Sequence, residues 1–330
     1  MSVAPGHGPV GLGSFAGRLE RLVHARQSSL VLGLDPDPDR LWTGARDAGR
    51  GVAPGPRSPA AAAALAVAAH CRAVIAAAGA ACVAVKPQLA CFERLGAPGW
   101  EALEATCDAA RGAGLLVLAD GKRGDVPVTA AAYAQALVGS VPTPYGPVAG
   151  LGADAFTANP LLGRDALEPL VRAAREAGAG VFILVRSSNP GAGELQDRPL
   201  ASGGTLAEAL ARVVADLGGT PESPSGLGAV GAVVGATAPA QLARLRALMP
   251  HSVLLLPGIG AQGGRIEDLA VAWSRGPASA LVSASRSIAG AAPEPGGSEA
   301  DAARRAAEEL RAAAWSLAGR GAGGDKIAAQ

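Results

Sequence analysis

Short apolar runs recur along the chain and alternate with longer segments of helical period. Eight runs stand out, at 29–34, 81–85, 115–119, 153–157, 180–185, 228–234, 252–256 and 279–283. Each has the length of a strand buried on both faces. Between them the pattern predicts helices at 60–78 (closing at Gly79), 99–113, 128–138, 164–177, 204–217, 238–248, 265–274 and 299–317, with a further helix ahead of the first strand from a Ser14 cap to about Arg26. Strict alternation of strand and helix implies parallel strands, and eight such units fit a (β/α)8 TIM barrel. A doubly wound open sheet is the alternative, but it would place one dominant ligand loop at a switch point. Here polar residues follow nearly every strand, as a barrel with its loops at one mouth requires. The predicted layout is one α/β domain over 14–318, a flexible N-terminus at 1–13 and a disordered tail at 319–330. Residues 43–59 read as a long loop, and the Gly/Pro-rich stretch 139–152 reads as an insertion.

Composition narrows the function classes. The chain has 330 residues, 49% of them hydrophobic, and a formal net charge of +1. Its basic residues form no run and are not interleaved with aromatics, so nucleic acid is not an expected partner. The N-terminus lacks a basic region followed by an apolar core, which argues against a signal peptide. The apolar stretch around 60–85 is interrupted by His70, Cys71, Arg72 and Gly79, so no membrane span is expected there. Cys71, Cys82, Cys91 and Cys107 form no C-x-x-C pair and predict reduced thiols, consistent with a cytoplasmic protein. The four histidines show no metal-ligand spacing.

The chemistry concentrates where the third strand ends, at Asp120-Gly121-Lys122-Arg123-Gly124-Asp125. In extended geometry Asp120 and Lys122 point the same way, and Asp125 lies past a glycine where the chain can turn. A surface ion-pair cluster is the plain alternative. In a barrel, however, Asp35, Lys86, Asp120 and Lys122 all sit at strand ends facing one cavity, where flanking carboxylates favour the ammonium form of Lys122. A cation held so can donate a proton and stabilise negative charge on a substrate carbon. After strands seven and eight come Pro257-Gly258-Ile259-Gly260-Ala261-Gln262-Gly263-Gly264 and Arg286, the frequent phosphate site of such barrels. A Gly-rich loop of this kind lets backbone N–H groups approach an anion. Ser187-Ser188-Asn189-Pro190-Gly191 offers hydroxyl and amide groups at the mouth, or is simply a turn.

Together D-G-K-R-G-D-V, G-L-D-P, V-K-P, T-A-N-P, S-S-N-P-G, P-G-I-G-A-Q-G-G and S-R-S-I make the chain resemble the orotidine 5′-phosphate decarboxylase family, in its longer bacterial branch (type 2), from about Phe15 to Ala314. The resemblance implies a cofactor-free homodimer that converts orotidine 5′-monophosphate to UMP and CO2 in pyrimidine biosynthesis. It implies that Lys122 protonates C6, that Asp120 lies beside the departing carboxylate, and that Lys86 and Asp35 bind the ribose and complete the charge array. It implies that Asp125 and Thr129 serve the neighbouring subunit's site, that Ser188 (or Ser187) contacts the base, that Gln262 and Arg286 hold the phosphate, and that Asn159 and Gly263 lie among the substrate-binding residues. The expanded stretches 43–59 and 139–152 depart from compact members. Sugar-phosphate decarboxylases and aldolases share D-x-K-x-x-D but hold Mg2+ through an acidic residue after strand two, where this chain has Lys86. A nucleotide-binding relic without activity is the non-enzymatic alternative.

Overall fold

In a computed structural model, residues 13–50, 58–218, 221–260 and 262–321 are described. All eight apolar runs form strands: β1 (Leu30–Leu34), β2 (Ala84–Pro87), β3 (Leu116–Arg123), β4 (Ala155–Ala158), β5 (Gly180–Arg186), β6 (Val230–Val234), β7 (Leu254–Pro257) and β8 (Ala280–Ala284). Every pairing is parallel between chain neighbours, and β8 pairs with β1, so the sheet closes. The expected barrel is therefore present.

Alternation along the strands divides the core in two. Val85, Val117, Phe156, Val181, Ile183 and Leu254 face outward and pack under the helices. Val31, Ala84, Leu118, Ala155, Phe182, Val233, Leu255 and Leu281 fill the barrel. The helix Phe15–Arg26 joins this inner set through Phe15, Ala16, Leu19 and Val23 and closes the end of the barrel away from the loops that follow the strands. Its cap is the expected one, with Ser14 Oγ accepting from the Gly17 N–H at 3.3 Å. Phe15 meets Phe182 edge-on, ring centroids 5.9 Å apart. Only glycine fits around this pair: a Cβ on Gly180 would lie 2.5 Å from the Phe15 ring, and one on Gly231 would lie 2.6 Å from the Phe182 ring.

Three segments differ from expectation. Part of the stretch read as a loop at 43–59 is the helix Thr43–Arg50; residues 51–57 lie outside the described set. Gly49 is a packing residue there: a Cβ on it would sit 2.8 Å from the Ala62 carbonyl, so the glycine lets two helices touch. The predicted α-helix at 265–274 is a 3-10 helix, Ile266–Trp273. Its buried positions Ile266, Leu269 and Ala272 recur every third residue, the period of that tighter helix. The last helix, Glu299–Gly321, enters the stretch read as a tail; residues 322–330 lie outside the described set, as do 1–12. The insertion at 139–152 forms an exposed two-stranded ribbon, Ser140–Val141 against Val148–Ala149.

The segment Pro59–Ala81 is long and apolar enough to cross a membrane by length and composition, and half of it is buried inside the fold.

Candidate active site

The inner face of the barrel changes character along each strand. Leu118 is followed two residues later by Asp120, Ala84 by Lys86, Ala155 by Thr157, and Leu281 by Ser283. These polar side chains line one cavity at the carboxyl ends of the strands, together with Asp35, Gln88, Lys122, Ser187, Ser188, Gln262, Ser285 and Arg286. Leu184, Val233 and Leu255 form its apolar floor.

At the β1–β4 side the charges form a connected array. Asp120, 4% exposed, receives Lys86 Nζ at 2.6 Å on one oxygen and Lys122 Nζ at 2.7 Å on the other. Thr157 Oγ1 donates to that second oxygen at 2.8 Å, and Gln88 Nε2 approaches the first at 3.4 Å. Burial acts to raise the Asp120 pKa, but the two ammonium groups outweigh it and hold the carboxyl well below its usual range. For Lys86 burial acts to lower the pKa; Asp120 and Asp35 outweigh that and keep the amine protonated.

Lys122 does not continue the extended strand. Its φ is +45°, a left-handed backbone that disfavours a residue with a side chain. The register of β3 against β4 shifts across this point, between Ala119 and Arg123. The strain is held by a bond from the Lys122 N–H to Thr157 Oγ1 at 2.9 Å. One hydroxyl thus fixes the backbone of Lys122 and the carboxylate that its ammonium pairs with. The next residue, Arg123, pairs with Glu93 and lies over the Tyr133 ring at 5.5 Å, anchoring the far side of the bend.

The β7–β8 side is different. Arg286 is exposed to the cavity and has no carboxylate partner among the described residues. Gln262 lines the same wall. The Gly-rich loop is folded on itself: Gly260 N–H donates to the Gly264 carbonyl, Gly263 N–H to Gly260, and Gly264 N–H to Gly258. Those three amides are therefore committed within the loop, because the tight turn consumes them. Arg286 and Gln262 supply the side-chain donors of this wall. Of the two serines, Ser187 is occupied, its Oγ bonded to Asn189 Oδ1 at 2.6 Å and Gln196 Oε1 at 3.2 Å. The Ser188 hydroxyl makes no hydrogen bond among the described residues and faces the same cavity.

Four expected residues lie outside the cavity wall. Asn159 Oδ1 accepts from the Leu161 N–H at 3.0 Å and so shapes its own turn. Gly263 is on the exposed outer edge of its loop. Asp125 is half-buried and accepts from the Val126 N–H at 2.8 Å, while Thr129 is exposed. Thr157, Gln88 and Ser285 were not singled out by sequence reasoning. The available signal was parity, since Gln88 and Ser285 each lie two residues beyond an inward-facing position and Thr157 two beyond Ala155. Among the described residues no group of three or more His, Cys, Asp or Glu side chains is placed to hold a metal ion.

Comparison with known proteins gives one answer. Residues 28–301 match the family described as orotidine 5′-phosphate decarboxylase / HUMPS. The orotidine 5′-phosphate decarboxylase of Deinococcus radiodurans is 50% identical over 232 residues, 69% of this chain and 77% of that protein. That of Roseiflexus castenholzii is 38% identical over 90% of this chain and 96% of its own length. The crystal structure of a protein from Streptomyces avermitilis, described as a putative orotidine 5′-phosphate decarboxylase, superposes with a TM-score of 0.73 at 33% identity, covering 96% of this chain and all of that one.

Proposed function

This chain belongs to the orotidine 5′-phosphate decarboxylase family, and we propose that it is a lyase converting orotidine 5′-monophosphate to UMP and CO2 in pyrimidine biosynthesis, with Lys122 as the proton donor to C6. The observation that carries the residue assignment is the clamp on Asp120 by Lys86, Lys122 and Thr157. When the substrate's carboxylate lies beside Asp120, two negative charges are forced together in a buried site. Loss of CO2 relieves that repulsion and leaves the electron pair of the broken C–C bond on C6. The Lys122 ammonium faces that charge, stabilises it and transfers its proton, and the neutral amine recovers a proton from solvent. Arg286 and Gln262 bind the phosphate, and that remote binding energy offsets the cost of placing like charges together. Lys86 and Asp35 bind the ribose, and Ser188, with its uncommitted hydroxyl, reads the base.

The active unit in this reading is a cytoplasmic homodimer. Asp125 and Thr129 fit a role in the partner's site, since neither lines its own cavity. Their chain neighbours Val126 and Val128 are exposed apolar side chains that a second copy would cover. Mixing inactive Lys122→Ala and Asp125→Ala dimers then restores one intact site in each mixed dimer, about a quarter of wild-type activity after random exchange. Confirmed exchange with no recovery removes the shared site.

The test of the reaction itself is incubation of the purified protein with orotidine 5′-monophosphate, with and without chelator, following UMP and CO2. Equal amounts of both products, insensitive to chelator, are expected. No CO2 release rejects the assignment, and chelator sensitivity points to the metal-dependent sugar-phosphate enzymes instead.

A further inference from the structure

One side chain ties the loop after β1 to the turn after β8, two segments from opposite ends of the chain. Trp42 is 7% exposed. Its indole N–H donates to the Ala289 carbonyl at 2.8 Å. Ala289 is the last residue of the four-residue helix Arg286–Ala289, the same helix that begins with the cavity-facing guanidinium. A single turn has little stability of its own. Its own backbone bonds are few: Ile288 and Ala289 to the Ser285 carbonyl, at 3.0 and 2.9 Å, Gly290 to Arg286 at 3.0 Å, and Ala291 to Ile288 at 3.2 Å.

Trp42 is itself fixed from the other side. Its backbone N–H donates to His70 Nδ1 at 3.2 Å, and the two rings meet edge-on with centroids 5.5 Å apart. His70 is buried on the long helix Pro59–Ala78. Burial lowers its pKa to about 4, so near neutrality it is an uncharged acceptor. The next amide, Thr43 N–H, donates to Glu299 at 3.1 Å and fastens the segment to the final helix. A rigid strut therefore runs from the Pro59–Ala78 helix through Trp42 to the backbone of the Arg286 turn. With no carboxylate to orient Arg286, the position of that turn sets where its guanidinium sits.

We propose that Trp42 is a positioning residue for phosphate recognition, acting through the hydrogen bond of its indole to the Arg286–Ala289 turn. This rests on the reading of Arg286 as the phosphate ligand. Removing the indole N–H while keeping an apolar ring loosens the turn, so binding of a nucleotide weakens and binding of the bare nucleoside does not.

The experiment measures inhibition of orotidine 5′-monophosphate turnover by UMP and by uridine in four proteins: wild type, Trp42→Phe, Arg286→Ala and the double variant. For Trp42→Phe the UMP inhibition constant rises about fivefold, the range for one neutral hydrogen bond, and the uridine constant is unchanged. In the Arg286→Ala background, Trp42→Phe causes no further change, because the two act through one contact. Equal weakening of UMP and uridine by Trp42→Phe, or full additivity in the double variant, overturns the proposal. Equal weakening by Arg286→Ala alone instead overturns the underlying phosphate assignment. If Trp42→Phe does not fold, replacing Trp42 by β-(3-benzothienyl)alanine keeps the bicyclic shape and deletes only the donor. The same selective fivefold rise is expected, and an unchanged UMP constant overturns the proposal.

Discussion

The two sides of the cavity are built on opposite electrostatic plans. At the ends of β2–β4 the charges are already matched: Asp120 is buried and carries two ammonium groups and a hydroxyl, and that same hydroxyl, of Thr157, holds Lys122 in its left-handed backbone. At the ends of β7 and β8 the cation is left unmatched, with Arg286 exposed and without a carboxylate among the described residues. A reacting centre must hold its groups fixed before substrate arrives, since reorganisation during the reaction costs rate. A gripping centre must lack an internal anion, since the ligand supplies it. The difference teaches that one cavity separates chemistry from affinity by deciding which charges are paired in advance.

Breaking the matched side should have the largest effect. Lys122→Ala should lower turnover by at least about a thousandfold, with circular dichroism showing the barrel intact; an active variant removes Lys122 as donor. Breaking the unmatched side comes next. Arg286→Ala should reduce kcat/KM for the nucleotide by roughly 10- to 100-fold, the range for a charge-assisted hydrogen bond. A loss below twofold would place the phosphate elsewhere.

Thr157 sharpens the contrast, because it holds both Asp120 and the strained Lys122 backbone without carrying charge. Thr157→Val should lower kcat about tenfold with little change in UMP affinity, and Thr157→Ser should restore it. If Ser fails to restore activity, the methyl packing and not the hydroxyl matters.

Acid should separate the two regions by pH. His70 supports the β8 side and is neutral when folded, with a pKa of about 4 against about 6.5 when exposed. The unfolded chain therefore binds more protons between these values. The associated stability is present above about pH 6.5 and is lost as pH falls toward 4, on the order of 3 kcal/mol in all. The Asp120 contribution is present above the ordinary carboxylate range and is lost only in stronger acid. Denaturant titrations of wild type and His70→Asn across this window check the sign; an unaltered slope in the variant contradicts it.

Legibility in the sequence followed the kind of signal each feature leaves. All eight strands were visible because strands buried on both faces are unbroken apolar runs. The Asp120–Lys122 pair was visible because inward positions recur every second residue, although nothing local announced the positive φ of Lys122, which depends on Thr157 from the next strand. Thr157 and Gln88 carry no pattern of their own and became meaningful only when parity placed them in the barrel. The helix Thr43–Arg50 lay in a stretch read as a loop, because a glycine that lets helices touch, such as Gly49, looks in one dimension like a glycine that ends one. The Trp42–Ala289 bond spans 247 positions and leaves no local trace.

The division between paired chemistry and unpaired grip is tested most directly by calorimetric binding of UMP to Lys122→Ala and Arg286→Ala side by side. UMP carries the phosphate but not the carboxylate that leaves. Lys122→Ala should keep UMP affinity within about threefold of wild type while losing turnover, and Arg286→Ala should lose at least about tenfold in affinity. Equal losses in the two variants, or a larger loss in Lys122→Ala, would contradict the account.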